Sequence, residues 1–461
     1  MISQLTAETD TSQAKKAALS SFAGAVIEWY DFLLYGLVAA TVFNTQFFPT
    51  EDPSVGVMAA FATFGVGFLF RPLGGLVFGH FGDRIGRKRT LVITMTVMGV
   101  ATALIGLIPS YDSIGWFSPL LLVLLRAVQG FAVGGEWGGA ALMAVESAPK
   151  KKKAFYSSGV QVGYSVGLVL ATAMVAIMGT VAGSEFTSWG WRVPFIGSIL
   201  LVGIGLWIRS SVQETKVFVE SVEHATAQAR TRRQLPILNA IKDNPKAFGQ
   251  IIGLRLLELF SMYIVTTWAL GYTVNELGMD RGIMLGVGLT VGALGIITIP
   301  AFAYLSDKIG RRKLYLAASV VGVLGTVPFF LALEAGSVVG IVLFAIVLIN
   351  FAHDMAVSVQ QPLITEMFGA EHRNSGAGVG YQVASAIAGG FTPFIAAALV
   401  AITGGHWYLV AIYVIVGCLI SGLVAYFMRS GMEDSATGPT PAHPEILVGE
   451  SSPRAPSPVN A

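Results

Sequence analysis

The sequence predicts an all-α integral membrane protein of 12 transmembrane helices in two six-helix halves, and three observations carry that expectation. Hydrophobic residues make up 54% of the chain and charged residues 12%, with a mean hydropathy of +0.68, too little polar surface to cover a globule in water. Twelve apolar runs occur, each near the roughly 20 residues a helix needs to cross the hydrocarbon layer. The stretch Gly79 to Lys88, Gly-His-Phe-Gly-Asp-Arg-Ile-Gly-Arg-Lys, returns at Ala303 to Lys313 as Ala-Tyr-Leu-Ser-Asp-Lys-Ile-Gly-Arg-Arg-Lys. That near copy lies about half a chain later, which marks a duplication.

In order, the runs fall at 20–43, 55–79, 90–109, 119–145, 155–180, 191–210, 247–273, 283–304, 314–333, 337–365, 374–401 and 407–429. Residues 1–19 are polar and form an N-terminal tail. Runs one to six make an N-terminal bundle at 20–210, and runs seven to twelve a C-terminal bundle at 247–429, with a polar, basic loop at 211–246 between them. The second run ends on the Gly79 turn and the eighth on its copy, so each copy must be a tight cationic turn between two helices. The fifth and eleventh runs repeat as well. Glu146 precedes a loop and then Ser158-Gly159-Val160-Gln161-Val162-Gly163-Tyr164, while Glu366 precedes a loop and then Ser375-Gly376-Ala377-Gly378-Val379-Gly380-Tyr381-Gln382. Residues 430–461, rich in Pro, Ser and Gly without periodicity, read as a disordered tail.

Orientation follows the lysines and arginines. All except Arg71, Arg126, Arg192, Arg255 and Arg281 fall in the tails or in loops after even-numbered runs, which places both termini in the cytoplasm. The 54 glycines suit membrane helices that approach closely. One cysteine, Cys418, excludes a disulfide framework or a cysteine metal cluster within the chain, and its ordinary reading is a small apolar residue in the last helix. The polar start followed by a long first run is not the pattern of a cleavable signal peptide. The net charge of +2 gives no reason to expect a nucleic-acid partner.

The Gly79 turn and its copy match a signature loop of the major facilitator superfamily. Glu28-Trp29-Tyr30-Asp31-Phe32 with Tyr35-Gly36, and Arg126-Ala127-Val128-Gln129-Gly130 through Gly134-Gly135-Glu136-Trp137-Gly138-Gly139, resemble its metabolite:proton symporter family. Over about Ala17 to Phe427 the chain is most similar to the shikimate-carrying members. The stretches Ala60 to Pro72, Val145-Glu146-Ser147-Ala148-Pro149 and Gly378 to Ser385 carry that likeness. The resemblance implies two bundles related by parallel duplication with a site between them near mid-membrane. It also implies proton-driven uptake of a small hydroxylated carboxylate such as shikimate across a bacterial inner membrane, by a monomer with no cofactor and no metal. Family members also carry dicarboxylates, citrate or betaines.

A charge at mid-membrane costs roughly 2.5 to 3.5 kcal/mol on insertion scales, so each needs a partner or a purpose. Glu28, Asp31 and Tyr35 share one face of the first helix, beside Tyr30. Arg126, Gln129 and Glu136 share a face of the fourth, with Trp137 next in line and Gly130, Gly134 and Gly138 forming a smooth seam. Asp31 is expected to pair with Arg126. Burial favours a neutral carboxyl and a neighbouring cation an ionised one, so alternating access can switch which dominates. Asp31 is therefore the first choice for the coupled proton, with Glu136 and Glu28 behind it. A fixed ion pair joining helices one and four is the alternative, and Glu28 lies near enough to the cytoplasmic end to face water.

The substrate carboxylate calls for a cation, and Arg126 and Arg255 are the deep ones; the planar fork of arginine suits two-point contact. Arg255 and Glu258 also stand where they could satisfy each other. His353 and Asp354 lead into Gln360 and Gln361 along helix ten, with His353 either titrating or held by Asp354. Gln161, Tyr164, Tyr381 and Gln382 suit a polyhydroxylated ring or, equally, hydrogen bonds between helices. Arg71 beside Pro72 reads as gating or structure. Gly79, Asp83, Arg84, Gly86 and Arg87, with Asp307, Gly310 and Arg311, form gate elements in which the aspartate caps a helix or pairs across the cytoplasmic face.

Other classes fit less well. A membrane enzyme needs a nucleophile with a base, a metal cluster or a phosphate loop, and the histidines are scattered while the glycines sit inside apolar helices. A sensor would need a large soluble domain, and an osmosensing betaine carrier a heptad-patterned tail, which 430–461 lacks.

Overall fold

The computed structural model describes residues 2–85, 87–135, 153–210, 245–367 and 373–428. Ten helices are long and apolar enough to cross a membrane, and two shorter apolar helices complete a set of twelve. We number them α1 (Ser21–Gln46), α2 (Pro53–Phe78), α3 (Arg89–Ile105), α4 (Phe117–Gly134), α5 (Ala154–Phe186), α6 (Arg192–Ile208), α7 (Pro245–Asn275), α8 (Arg281–Ile309), α9 (Arg311–Glu334), α10 (Val338–Glu366), α11 (Gly376–Ile402) and α12 (Tyr408–Phe427). The long loop at 211–246 lies mostly outside the described residues, as does the tail at 430–461.

The outer surface is the apolar one. Val339, Ile402, Trp207, Phe427 and Leu200 are each more than 70% exposed, while Arg126, Asp354 and Gln129 are buried. That inversion is stable only where the outer solvent is hydrocarbon.

Glycines set how closely the helices approach. A Cβ at Gly130 would overlap the carbonyl of Gly67, one at Gly134 that of Arg71, and one at Gly74 that of Phe131. The smooth face read on helix four is therefore the seam on which α2 and α4 lie backbone to backbone; Gly138 lies outside the described residues. Four wider π-helical turns, at Ala39–Phe43, Ile264–Trp268, Val347–His353 and Ser385–Gly390, interrupt α1, α7, α10 and α11.

The expected turns are too long. One helix runs Pro53–Ile85, through Gly79, Asp83 and Arg84, and the next starts at Arg87, leaving Gly86 as the residue between, itself outside the described set. In the second copy α8 continues through Asp307 to Ile309, and Gly310 alone turns the chain, at φ 97°. Charged residues do not end a helix that is leaving the apolar layer; a left-handed glycine does. Ala303 is fully buried, so this copy is closely packed.

The halves meet along several pairs of helices. Gly36 of α1 sits against Thr267 of α7, Gly65 of α2 against Phe391 of α11, and α5 against α8. That last pair is tied at both ends. At one, Arg281 donates to the Gly179 carbonyl at 3.2 Å. At the other, Asp307 accepts from the backbone N–H groups of Ala154 and Phe155 at 3.3 and 3.1 Å. The aspartate thus caps the helix of the opposite half, where orphan N–H groups and the helix dipole both favour an anion.

Candidate functional site

A small cavity lies between the halves. Glu28 and Trp29 of α1, Phe68 and Arg71 of α2 and Gln161 of α5 line it from one side. Arg255 and Tyr263 of α7, with Tyr381 and Ser385 of α11, line it from the other. It has room for about one water, so a ring-sized ligand enters only when the halves part.

Each half contributes one arginine. Arg71 is buried, 3.6 Å from the Glu28 carboxylate, with its guanidinium 3.9 Å over the ring of Phe32 and 4.1 Å over that of Phe68. Aromatic faces hold a cation without neutralising it, leaving the positive field available to a ligand. Arg255 is more tightly fixed. Its Nε bonds Glu258 Oε1 at 2.6 Å, and its Nη1 donates to the Tyr381 carbonyl at 2.7 Å and to Ser385 Oγ at 2.5 Å. It also lies 3.4 Å over the Tyr381 ring, and Gln360 donates to the second oxygen of Glu258. Both readings of Arg255 therefore meet in one residue, paired with Glu258 and facing the cavity. Among the described residues, Gln161 Nε2, the Tyr263 hydroxyl and both amide atoms of Gln382 find no hydrogen-bond partner. Buried polar atoms in that condition point to an absent partner such as water or a hydroxylated ligand.

Asp31 and Arg126 come close without the expected ion pair. Asp31 Oδ2 accepts from Thr102 Oγ1 at 2.6 Å, and that hydroxyl accepts from Gln129 Nε2 at 2.6 Å. Gln129 Oε1 then accepts from Arg126 Nη1 at 3.0 Å. The physical reason is aromatic packing. Arg126 is held over Tyr35 at 4.0 Å and Phe32 at 4.4 Å, so the threonine and the amide bridge the interval. Neither charge lines the cavity.

A third polar cluster sits where α8 meets α10. His353 Nδ1 lies 2.9 Å from Asp354 Oδ1, and Asp354 Oδ2 accepts from Asn350 at 3.0 Å and from Thr298. The His353 ring packs on Tyr164 at 5.0 Å, which in turn meets Trp29 at 5.2 Å. These rings connect the C-terminal half to the cavity wall.

Of the residues singled out from sequence, Glu28, Gln161, Arg255 and Tyr381 line the cavity, Glu258 and Gln360 stand behind Arg255, and Gln382 is buried without lining it. Tyr30 instead donates to the Pro194 carbonyl at 2.9 Å, and the Tyr35 hydroxyl bonds Thr63 Oγ1 at 2.5 Å, both within the N-terminal half. Glu136 and Trp137 lie outside the described residues, and nothing is described of the side chains of Asp83, Arg84 and Arg87. Arg311 pairs with Glu366 at 2.7 Å, within its own half. Sequence reasoning set Arg71 aside as a gate and passed over Ser385 and Thr102. The cost of a mid-membrane charge could have flagged Arg71; a lone serine or threonine in an apolar helix carries no comparable signal.

The model of the Major Facilitator Superfamily matches residues 21–392 and again 289–459. The chain is 59% identical over 419 residues to the shikimate transporter of Escherichia coli K12, covering 91% of this chain and 95% of that one. It is 32% identical over 452 residues to the proline/betaine transporter of the same organism, covering 95% of this chain and 88% of the relative. Two solved structures of the xylose symporter XylE share the fold. One, bound to 6-bromo-6-deoxy-D-glucose, has a TM-score of 0.68 at 17% identity and covers 92% of this chain and 98% of that one. The other, partially occluded and inward open, has a TM-score of 0.69 at 18% identity and covers 91% and 98%.

Proposed function

The chain belongs to the major facilitator superfamily, and on that premise we propose that it imports shikimate, or a closely similar hydroxylated carboxylate, together with protons by alternating access. The observation that carries the substrate is the 59% identity to a shikimate transporter across nearly the whole of both chains. Identity to the proline/betaine transporter is far lower, at 32%. The protein is a multi-pass transporter of a bacterial inner membrane, not an enzyme.

The geometry supports this reading residue by residue. Guanidinium groups facing the cavity suit a carboxylate, and the unpartnered Gln161 and Tyr263 atoms suit ring hydroxyls. An α1 carboxylate, Glu28 or Asp31, takes up the coupled proton. Protonation from the periplasm, binding between the halves, rocking about the α5–α8 seam and release to the cytoplasm complete the cycle. Both termini and the Asp307 cap then lie on the cytoplasmic face, and one chain is sufficient for transport.

The test is uptake of labelled shikimate into cells that lack their own carrier, at acid and neutral pH, with and without a protonophore. Uptake that rises at acid pH and collapses with protonophore is the expected result. No shikimate uptake by a well-inserted chain contradicts the substrate.

A further inference from the structure

We infer that Arg71 is the substrate's second carboxylate ligand, and that Glu28 is its resident counter-ion, displaced by the substrate when Glu28 takes the coupled proton. This rests on the shikimate reading and assigns the proton within it.

Four observations converge. Arg71 and Arg255 line one cavity from opposite halves, so an anion between them touches both bundles at once. Arg255 is held through Nε and Nη1 by Glu258, Tyr381 and Ser385, whereas Arg71 has a looser partner, a Glu28 oxygen at 3.6 Å, and its Nε has no hydrogen-bond acceptor among the described residues. Glu28 lines the same cavity, while Asp31, one turn further along α1, does not and is bound to Thr102. Charge completes the case: Arg71 and Arg255 are balanced by Glu28 and Glu258, so an entering carboxylate leaves one buried negative charge in excess. One proton on Glu28 removes that excess and frees Arg71 in the same step.

The charged and titratable groups that face Glu28 are Arg71 from α2, Arg255 and Tyr263 from α7 and Tyr381 from α11, with Asp31 one turn away on α1; Gln161 of α5 also faces it and does not titrate. Glu28 is the acid among those that line the cavity, so the competition for Arg71 is between one carboxylate of the protein and one of the substrate. Substrate and proton therefore bind together. An ionised Glu28 excludes the substrate from Arg71, and a substrate on Arg71 holds the proton on Glu28.

The test measures KM and maximal rate for labelled shikimate across a range of pH in wild type, Glu28→Gln, Glu28→Asp and Arg71→Lys, with membrane insertion checked for each. Wild-type KM falls as the medium is acidified. In Glu28→Gln the KM is flat with pH and close to the wild-type acid value, and Glu28→Asp restores the slope. Arg71→Lys, which loses the two-point fork, raises KM about tenfold or more. A Glu28→Gln carrier that keeps the wild-type slope overturns the assignment, as does an inserted Arg71→Lys carrier with unchanged KM. If Arg71→Lys does not insert, the two Glu28 variants decide. Wild-type protein that moves no shikimate overturns the substrate reading and this inference with it, a result distinct from the other two.

Discussion

Asp31 and Arg126 do not touch: Thr102 and Gln129 stand between them as a chain of three hydrogen bonds, each 2.6 to 3.0 Å long. The chain joins α1, α3 and α4, so the acid of the first helix is positioned by the third as much as by the fourth. Rings of Phe32, Tyr35 and Phe64 pack around the Arg126 guanidinium, 4.0 to 5.2 Å from it.

Thr102→Val removes the central hydroxyl at nearly constant volume. It leaves a buried carboxylate oxygen and the Gln129 amide without partners, at a cost of about 1–3 kcal/mol. A lower melting temperature in detergent is expected, together with a fall in maximal uptake rate. An unchanged melting temperature shows that water replaces the hydroxyl.

Gly130→Ala places a methyl group against the Gly67 carbonyl on the α2–α4 seam. Backbone cannot give way as a side chain can, so α2 and α4 must separate, with an overpacking cost of about 1–3 kcal/mol. Gly159, which has open space around it, is the control. Thermal unfolding of the two alanine variants in detergent should separate them, with only Gly130→Ala falling.

Asp307→Asn keeps the side-chain shape and discards the charge that caps α5 across the interface. Charge-assisted bonds of this kind contribute about 1.5–3 kcal/mol, enough to shift the balance between carrier conformations by about tenfold or more. A cysteine placed at Phe155 should then react faster with a thiol reagent applied from the cytoplasmic face. Equal labelling rates in the two backgrounds argue that the cap does not hold the gate.

Asp354→Leu removes the acceptor shared by His353, Asn350 and Thr298 at the junction of α8 and α10; Asn350 keeps the Val291 carbonyl and Thr298 that of Leu294, so His353 Nδ1 is the group that loses its partner. Leaving a buried donor without its partner costs about 1–3 kcal/mol. Loss of folded, inserted protein is expected, read by size-exclusion profile after extraction; a normal profile shows that the cluster is not structural.

Much of this was legible in the sequence for a physical reason: hydrocarbon demands long apolar runs, and each of the twelve runs overlaps one of the observed helices, although the end predicted for the fourth, at 145, lies outside the described residues. The Arg255–Glu258 pair was legible too, because a spacing of three on a helix forces proximity. What escaped was whatever depends on which helices meet. Thr102 reaches Asp31 only because α3 packs beside α1, and Arg71 faces Arg255 only because α2 meets α11 and α7. The Gly79 turn misled in the other direction, since its glycines and charges looked like loop while the backbone stayed helical to Ile85.

The most direct measurement is the pH of a lightly buffered suspension of de-energised cells that express the chain, lack their own carrier and receive a pulse of shikimate. Coupled entry of a carboxylate with about one proton leaves net charge unchanged and draws protons from the medium. The expected result is a rise in external pH in step with labelled uptake, abolished by a protonophore and absent in Glu28→Gln. Shikimate entry with no change in external pH would contradict proton coupling.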